Sequence, residues 1–307
     1  MLPGRPFPRG KARFLLAFFG ICHDLSIMNM QSDPLHTLAS QRVDGEGRLA
    51  VRHTAGRPRT WELFQRGAAK IRLPKPLDDG AMEAVLINTA GGLTGGDRLS
   101  WSVEAGEGCS VTVTTQASEK AYRSGSGLAD VSVQLDVGRG ARLAWLPQET
   151  ILFDASALRR RIDARLQPGA RLLLAEATVF GRSARGETVE RGLFADRWRI
   201  SVGGRLVHAE DFRFGPAIAA TLATPAVLDR AVAIATVLLV DDGAELLLDQ
   251  GREIVGAEGG VSHWTVSGSG KLLARLYAAD GYLLRKRLMP LLELLNGEAR
   301  LPKAWSL

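Results

Sequence analysis

From about residue 48 to residue 280 the chain alternates apolar and polar side chains in one short segment after another. WSVEA (101–105), CSVTVTT (109–115), DVSVQLDV (130–137), ARLAWL (141–146), RIDARL (161–166) and DRWRISV (196–202) all follow a period of two. That period sends successive side chains to opposite faces of an extended backbone, so each segment reads as a half-buried β-strand. Most are too short for helices, and β-branched residues recur in them. A weaker repeat of strand, glycine turn and strand lies over this pattern, as VEAGEGCSVTV (103–113), LDVGRGARLAW (135–145), ARLQPGARLLL (164–174) and ISVGGRLVHAE (200–210). Its turn glycines, Gly108, Gly140, Gly169 and Gly204, are 32, 29 and 35 residues apart. Glycine at those places permits the positive φ that tight hairpin turns demand. A period near 30 residues with two or more strands per unit predicts stacked β-layers. The expected fold is therefore all-β dominated, β-helix-like or an elongated layered β architecture, with a small helical part near the C-terminus.

Helical periodicity is confined to the second half. AIAATLATPAVLD (217–229) predicts a short helix broken at Pro225. Residues 279–296 predict a longer one, with Leu284, Leu288, Leu291, Leu292 and Leu295 along one face, Gly297 just past its end, and Pro290 as a kink or second start. The leucine face is expected to serve as a docking surface. At the other end, Arg5, Arg9, Lys11 and Arg13 precede FLLAFFGIC (14–22), in the order of a secretory signal, but no small-x-small cleavage site follows. The run is also far shorter than the roughly 20 residues a membrane span needs. Residues 1–27 are thus expected to be an extension ahead of a true start at Met28 or Met30, with 28–307 forming a single β-rich domain. AVAIATVLLV (231–240) is too short to span as well, so the expected setting is cytoplasmic, without a membrane role.

Composition excludes more than it selects. Apolar residues at 46% rule out a wholly disordered chain. Lys+Arg at 39 against Asp+Glu at 33 leaves a net charge of +6, and the blocks Arg159-Arg160-Arg161 and Arg285-Lys286-Arg287 are short. Without a basic stripe interleaved with aromatics, nucleic acid is not an expected partner. Cys22 and Cys109 are too few for a disulfide framework or an all-thiolate zinc site. VSGSGKLL (266–273) fails as a P-loop, because Thr265 stands at the first glycine and Leu272 follows Lys271, where Ser or Thr should hold Mg²⁺; it reads as a hairpin turn. The five histidines are scattered, and neither G-x-S-x-G nor H-E-x-x-H occurs. Catalysis and a tightly bound cofactor have no support in these patterns.

Three longer segments carry more information: NTAGGLTGGDRL (88–99), TTQASEKAYRS (114–124) and LPQETILFDAS (146–156). In this order and spacing they closely resemble the urease accessory protein UreD (UreH) family. GRSARGE (181–187), following an apolar strand that contains Glu176, and LPKAW (301–305) extend the resemblance over roughly residues 45–305. Two features depart from the family pattern. One is the extension 1–27; the other is Ala155-Ser156 where the family usually has Gly-Ala after the aspartate of the third motif, a change that disfavours a positive φ.

The resemblance implies a non-enzymatic, β-helix-like scaffold chaperone. It implies binding to UreF, which with the GTPase UreG and the urease apoprotein forms an activation complex, expected here as a dimer of heteromers. That complex delivers Ni²⁺ to the urease active site, whose bridging lysine is carbamylated during maturation, and a water-filled passage through UreD is a proposed nickel route. On motif-matched positions, Glu149, Asp154, Glu176 and Asp97 are the candidates for a transient nickel path, since an ion in transit needs oxygen or imidazole ligands at modest density. Stacked layers would set Glu149, Asp154 and Glu176 side by side. Thr89, Thr94, Gln116, Tyr122, Arg123 and Gln148 would be polar wall or turn-forming residues. Gly91, Gly92, Gly95 and Gly96 would make a tight corner or a partner contact. Two alternatives remain: a β-helix carbohydrate-active enzyme pairing Asp154 with Glu149 or Glu176, and a passive assembly scaffold with no metal path.

Overall fold

A computed structural model of the protein describes residues 42–75, 81–182, 186–297 and 299–306; the expectations for residues 1–27 lie outside them. The described residues start with β1 (Asp44–Thr54), β2 (Arg57–Gly67) and β3 (Ala69–Arg72), and then begin to coil. β4 (Ala81–Asn88), β6 (Ser110–Thr115), β9 (Arg142–Trp145) and β12 (Arg171–Phe180) stack in parallel on one side. β5 (Arg98–Ala105), β8 (Ala129–Val137), β11 (Ala157–Leu166) and β13 (Leu193–Val202) stack in parallel on the other. The chain crosses from one sheet to the other at every step, which makes a β-solenoid. Arg98 lies beside Asp130, Ala129 beside Leu158 and Ala157 beside Leu193, so successive turns take 32, 29 and 36 residues. This is the period visible in the glycine spacing.

The glycines do a different job from the one expected. Gly108, Gly140 and Gly169 turn the chain from one sheet into the other, between β5 and β6, β8 and β9, and β11 and β12. Their φ values of 68°, 62° and 75° suit a tight corner as well as a hairpin. Only Gly204 sits in a hairpin, joining β13 to the antiparallel β14 (Arg205–Phe214). Local pattern cannot separate these cases, because both need a left-handed residue between two strands.

A short third side closes each turn. β7 (Glu119–Ala121) pairs in parallel with β10 (Thr150–Leu152), which pairs in parallel with the end of β12, and Leu93 bridges to Ala121. Beyond β14 come α1 (Ile218–Leu222), β15 (Ala233–Val240), α2 (Leu248–Val255), β16 (Gly259–Val266), β17 (Ser269–Ala278) and α3 (Gly281–Asn296). α1 ends before Pro225, and β15, β17 and β16 add antiparallel to the β12 edge. The β16–β17 turn holds Ser267 and Gly268 at φ 51° and 82°, so VSGSGKLL is a hairpin. Asp280 caps α3 by accepting from Leu283 N–H at 2.7 Å, Gly297 lies just past its end at φ 68°, and the helix runs through Pro290 unbroken.

Two cores result. Leu49, Val103, Leu135, Leu143, Ile162, Leu174 and their neighbours fill the space between the two sheets. Leu173, Ala175, Ala177 and Val179 on the outer face of β12, with Ala235 and Val237 of β15, pack under the helices. The leucine face of α3 belongs to this second core: Leu288, Leu291, Leu292 and Leu295 are at most 1% exposed. It is therefore not a docking surface, and the expectation that it would be is corrected. Amphipathicity marks a face that must be covered, and here the covering is the chain's own sheet. Among the described residues no helix is long and apolar enough to cross a membrane.

Candidate functional site

The segments 88–99, 114–124 and 146–156 occupy the same corner of three successive turns. Each joins a strand of one sheet to a strand of the other by way of the short third side. Stacking brings their backbones close together. A Cβ on Gly92 would stand 2.3 Å from a Tyr122 ring carbon and 2.8 Å from the Lys120 carbonyl oxygen, and one on Gly95 would stand 2.0 Å from Ser124 Oγ. These glycines make the tight corner. Tyr122 meets Phe153 edge-on at 5.0 Å and donates to the Gly91 carbonyl at 3.3 Å. Thr94 donates to the Arg123 carbonyl at 2.8 Å, and Thr89 to the Ala68 carbonyl at 3.1 Å. Ala155 has a φ of 58°. It adopts the left-handed conformation that its side chain disfavours because its N–H donates to Arg191 O at 2.8 Å and its carbonyl accepts from Ser124 N–H at 2.9 Å.

The four candidate carboxylates are not gathered at one point. Asp97 is buried and accepts from the backbone N–H groups of Val43 and Thr94 at 2.9 and 2.7 Å, which fixes the first corner. Asp154 accepts from the N–H groups of Glu190 and Arg191 at 3.0 and 3.1 Å and from Arg123 at 3.4 Å. Glu149 faces outward, toward α3, where it accepts from Arg285 at 2.8 Å and from Ser118 at 3.2 Å. Arg285 also reaches Gln148 Oε1 at 2.9 Å and lies over the Trp305 ring, while the Trp305 indole donates to Leu146 O at 3.0 Å. The segment LPKAW thus fastens the chain end to the third corner. Of the four, only Glu176 points between the sheets. Among the described residues no three His, Cys, Asp or Glu side chains are grouped to hold a metal ion.

Between the sheets, the corner stack encloses two adjoining spaces that share part of their walls. The outer one, of about 130 Å³, is lined by Asn88, Gln116, Ala117, Ser118, Glu119 and Lys120 among others, and opens past the exposed Gln116, Ala117 and Lys120. The inner one, of about 50 Å³, is walled mostly by apolar side chains such as Leu99, Val131, Val133 and Leu158, with Gln148, Thr150, Arg160 and Glu176 as polar members. Thr115 and Glu119 line both, so they stand where the two spaces meet. The inner volume has room for water, and its wall offers polar partners. One of these, Gln148 Nε2, is buried and has no hydrogen-bond partner among the described residues.

The row of polar groups follows from register. Glu119, Thr150 and Thr178 are aligned partners on β7, β10 and β12, and Arg160 is aligned with Asp196 on β13. Arg160 is 5% exposed and donates through Nε to Asp196 at 3.1 Å and through Nη1 to Thr150 at 3.2 Å and to Glu176. Trp145 donates to Glu176 at 2.9 Å, and Trp198 to Asp196 at 3.0 Å. Burial works against the Arg160 charge, but Asp196 and Glu176 more than offset it and hold the guanidinium protonated. Burial pushes the Glu176 carboxyl well above the usual carboxylate range; Arg160 opposes that shift and Asp196 adds to it. Burial likewise lifts Glu119 to about 7, against the pull of Asn88, which donates to both its oxygens at 3.2 Å. Glu119 has no ion pair among the described residues.

Glu119, Arg160, Asp196 and Thr150 are functional candidates that sequence reasoning missed. A signal for Arg160 was present: it shares the inward period-two face with Leu158, Ile162 and Ala164, while Arg159 and Arg161 both reach out to Asp130.

A profile of the family described as UreD urease accessory protein matches residues 43–306. A Brucella abortus protein named urease accessory protein UreD 1 is 54% identical over 273 residues, which cover 89% of this chain and 97% of its own length. A Mesorhizobium japonicum protein named urease accessory protein UreD is 57% identical over 268 residues, 87% of this chain and 95% of its own. A Brucella anthropi relative with the same name as the first is 53% identical over 283 residues, 91% of this chain and 100% of its own.

Proposed function

Because the chain belongs to the UreD urease accessory protein family, we propose that it is the scaffold of a urease activation complex, and that Ni²⁺ passes through its interior on the way to the urease active site. In this reading it holds UreF, the GTPase UreG and the urease apoprotein together in the cytoplasm. The nucleotide chemistry belongs to UreG, and this chain is not a catalyst.

The observation that supports the reading most directly is the pair of adjoining spaces beneath the corner motifs, with Thr115 and Glu119 in the walls of both. A space between two β-sheets is ordinarily filled with apolar side chains, and burying ionisable groups there is costly unless they are paired. This chain keeps Glu119 without a counter-ion at the junction of a water-accessible space and an inner cavity. A hydrated divalent ion entering past Gln116 would exchange water for a Glu119 oxygen and release the proton that burial favours there. The Thr115 and Thr150 hydroxyls and the Gln148 amide would bond to its remaining water. Oxygen ligands so few in number hold Ni²⁺ weakly, which suits passage better than storage. Glu149, Asp154 and Asp97 would hold the corners that shape this lane.

The test is urease maturation reconstituted from purified proteins with a Glu119→Gln variant. Nickel content and activity of the matured urease are measured beside a pull-down of the complex. A several-fold loss of both with the complex intact is expected. Normal nickel loading would remove the passage and leave a passive scaffold.

A further inference from the structure

Arg160 sits between two buried carboxylates, those of Glu176 and Asp196. Its guanidinium donates to Glu176 and to both oxygens of Asp196. The two indoles supply the remaining donors, Trp145 to Glu176 and Trp198 to Asp196. Each of the four carboxylate oxygens therefore already accepts an N–H. The two carboxylates come from different sheets, on β12 and β13, and Arg160 is the only cation among the described residues that pairs with either. Without it Glu176, which lines the inner cavity, and the neighbouring Asp196 would form an oxygen-rich pair with no counter-ion, the kind of arrangement that retains a divalent cation.

We propose that Arg160 is a resident counter-ion that keeps the passage from becoming a metal trap, and that it thereby sets how long Ni²⁺ stays inside the protein. This rests on the passage described above. An ion arriving at Glu119 meets carboxylates that are already occupied. It must displace a bidentate guanidinium to bind there, so its stay is short and it moves on. The Phe194 ring, 5.7 Å from the guanidinium, and the Thr150 hydroxyl hold Arg160 in this position. Lysine would preserve the charge but not the planar fork that serves two carboxylates at once.

The experiment uses the full chain, purified with UreF, loaded with Ni²⁺ alone and passed through a desalting column; nickel per chain and its release rate are then read. Arg160→Met should retain nickel and release it at least tenfold more slowly than the unaltered protein. Arg160→Lys should fall between the two. Arg160→Met combined with Glu176→Gln should lose the retention, which assigns the bound metal to that carboxylate. If Arg160→Met does not fold, Arg160→Lys against the unaltered chain decides the matter. Equal release from all of them overturns the proposal, as does retention that survives Glu176→Gln. If release is unchanged while Glu119→Gln still lowers urease loading, Arg160 alone loses its role. If Glu119→Gln loads urease normally, the passage itself falls, and the proposal with it.

Discussion

β12 has both faces buried and uses them in opposite ways. Leu173, Ala175, Ala177 and Val179 turn outward and meet α3 through carbon alone. Leu172, Leu174, Glu176, Thr178 and Phe180 turn inward, and among them are a carboxylate and a hydroxyl. The outer face is what a strand does when its only task is to be covered. The inner face carries a charge that a stability-driven core would replace, since a buried ion pair seldom outperforms well-packed apolar residues of similar volume. The contrast separates a region kept for cohesion from one kept for chemistry, within ten consecutive residues.

The largest effect should come from breaking the inner network. Arg160→Ala leaves Glu176 and Asp196 buried without their cation and should cost about 3–5 kcal/mol in urea denaturation. The triple change Arg160→Met, Glu176→Leu and Asp196→Leu makes the inner face resemble the outer one. It should fold as well as the unaltered chain, or better by about 1–4 kcal/mol, and should hold no nickel through a desalting column, in contrast to Arg160→Met alone. A triple variant that is less stable than the unaltered chain would erase the distinction between the two faces.

On the outer face, Leu292→Ala should cost about 3 kcal/mol by cavity formation. Nickel delivered per folded molecule should not change, measured at a temperature where both proteins are folded. Next in size is the tie between the faces. Arg285→Ala removes charge-assisted bonds to Glu149 and Gln148 and should cost about 2 kcal/mol. Hydrogen exchange should quicken in α3 and stay slow in β11.

Titration gives effects that appear only over a range of pH. Glu119 titrates near 7 in the folded protein against 4.5 as a free carboxyl, so between those values the folded chain holds the extra proton. Its contribution therefore falls as pH rises from 4.5 to 7, and the full penalty above 7 is roughly 3 kcal/mol. Glu119→Gln should abolish that slope and stabilise the protein at pH 8 but hardly at pH 4.5. His208, held down to about 4 by burial and by Lys271, Arg275 and Arg199, gives the opposite slope between 4 and 6.5 in both proteins and cancels in the difference. The smallest expected change is Ala155→Gly, which relieves the left-handed φ and should add about 0.5–1 kcal/mol with nickel transfer unaltered; urea midpoints would register it.

The stacked β architecture was legible because it depends on local pattern: alternation fixes the strands, and the glycine spacing reports the length of each turn. The corner motifs were legible as a family resemblance, although not as one stacked edge. The polar passage was not, because its members meet only through register. Arg160 is 16 residues from Glu176 and 36 from Asp196. Glu149 and Asp154 are path candidates by their motif positions, yet Glu149 pairs with Arg285 of α3 and Asp154 accepts from backbone amides. The three-arginine block was weighed for its charge alone. Period two, applied without regard to charge, would have put its middle member inside.

The bond from the Trp305 indole to the Leu146 carbonyl joins positions 159 residues apart. A solenoid can grow turn by turn from neighbouring contacts as it is synthesised. The passage lies within turns completed by β13, so it can be in place while the ribosome is still making α3. The outer core is complete only after α3 has followed and Trp305 is seated on the third corner. Until then Ala175, Ala177 and their neighbours remain uncovered, and the newly made chain presents to other molecules an apolar sheet face that the finished protein conceals.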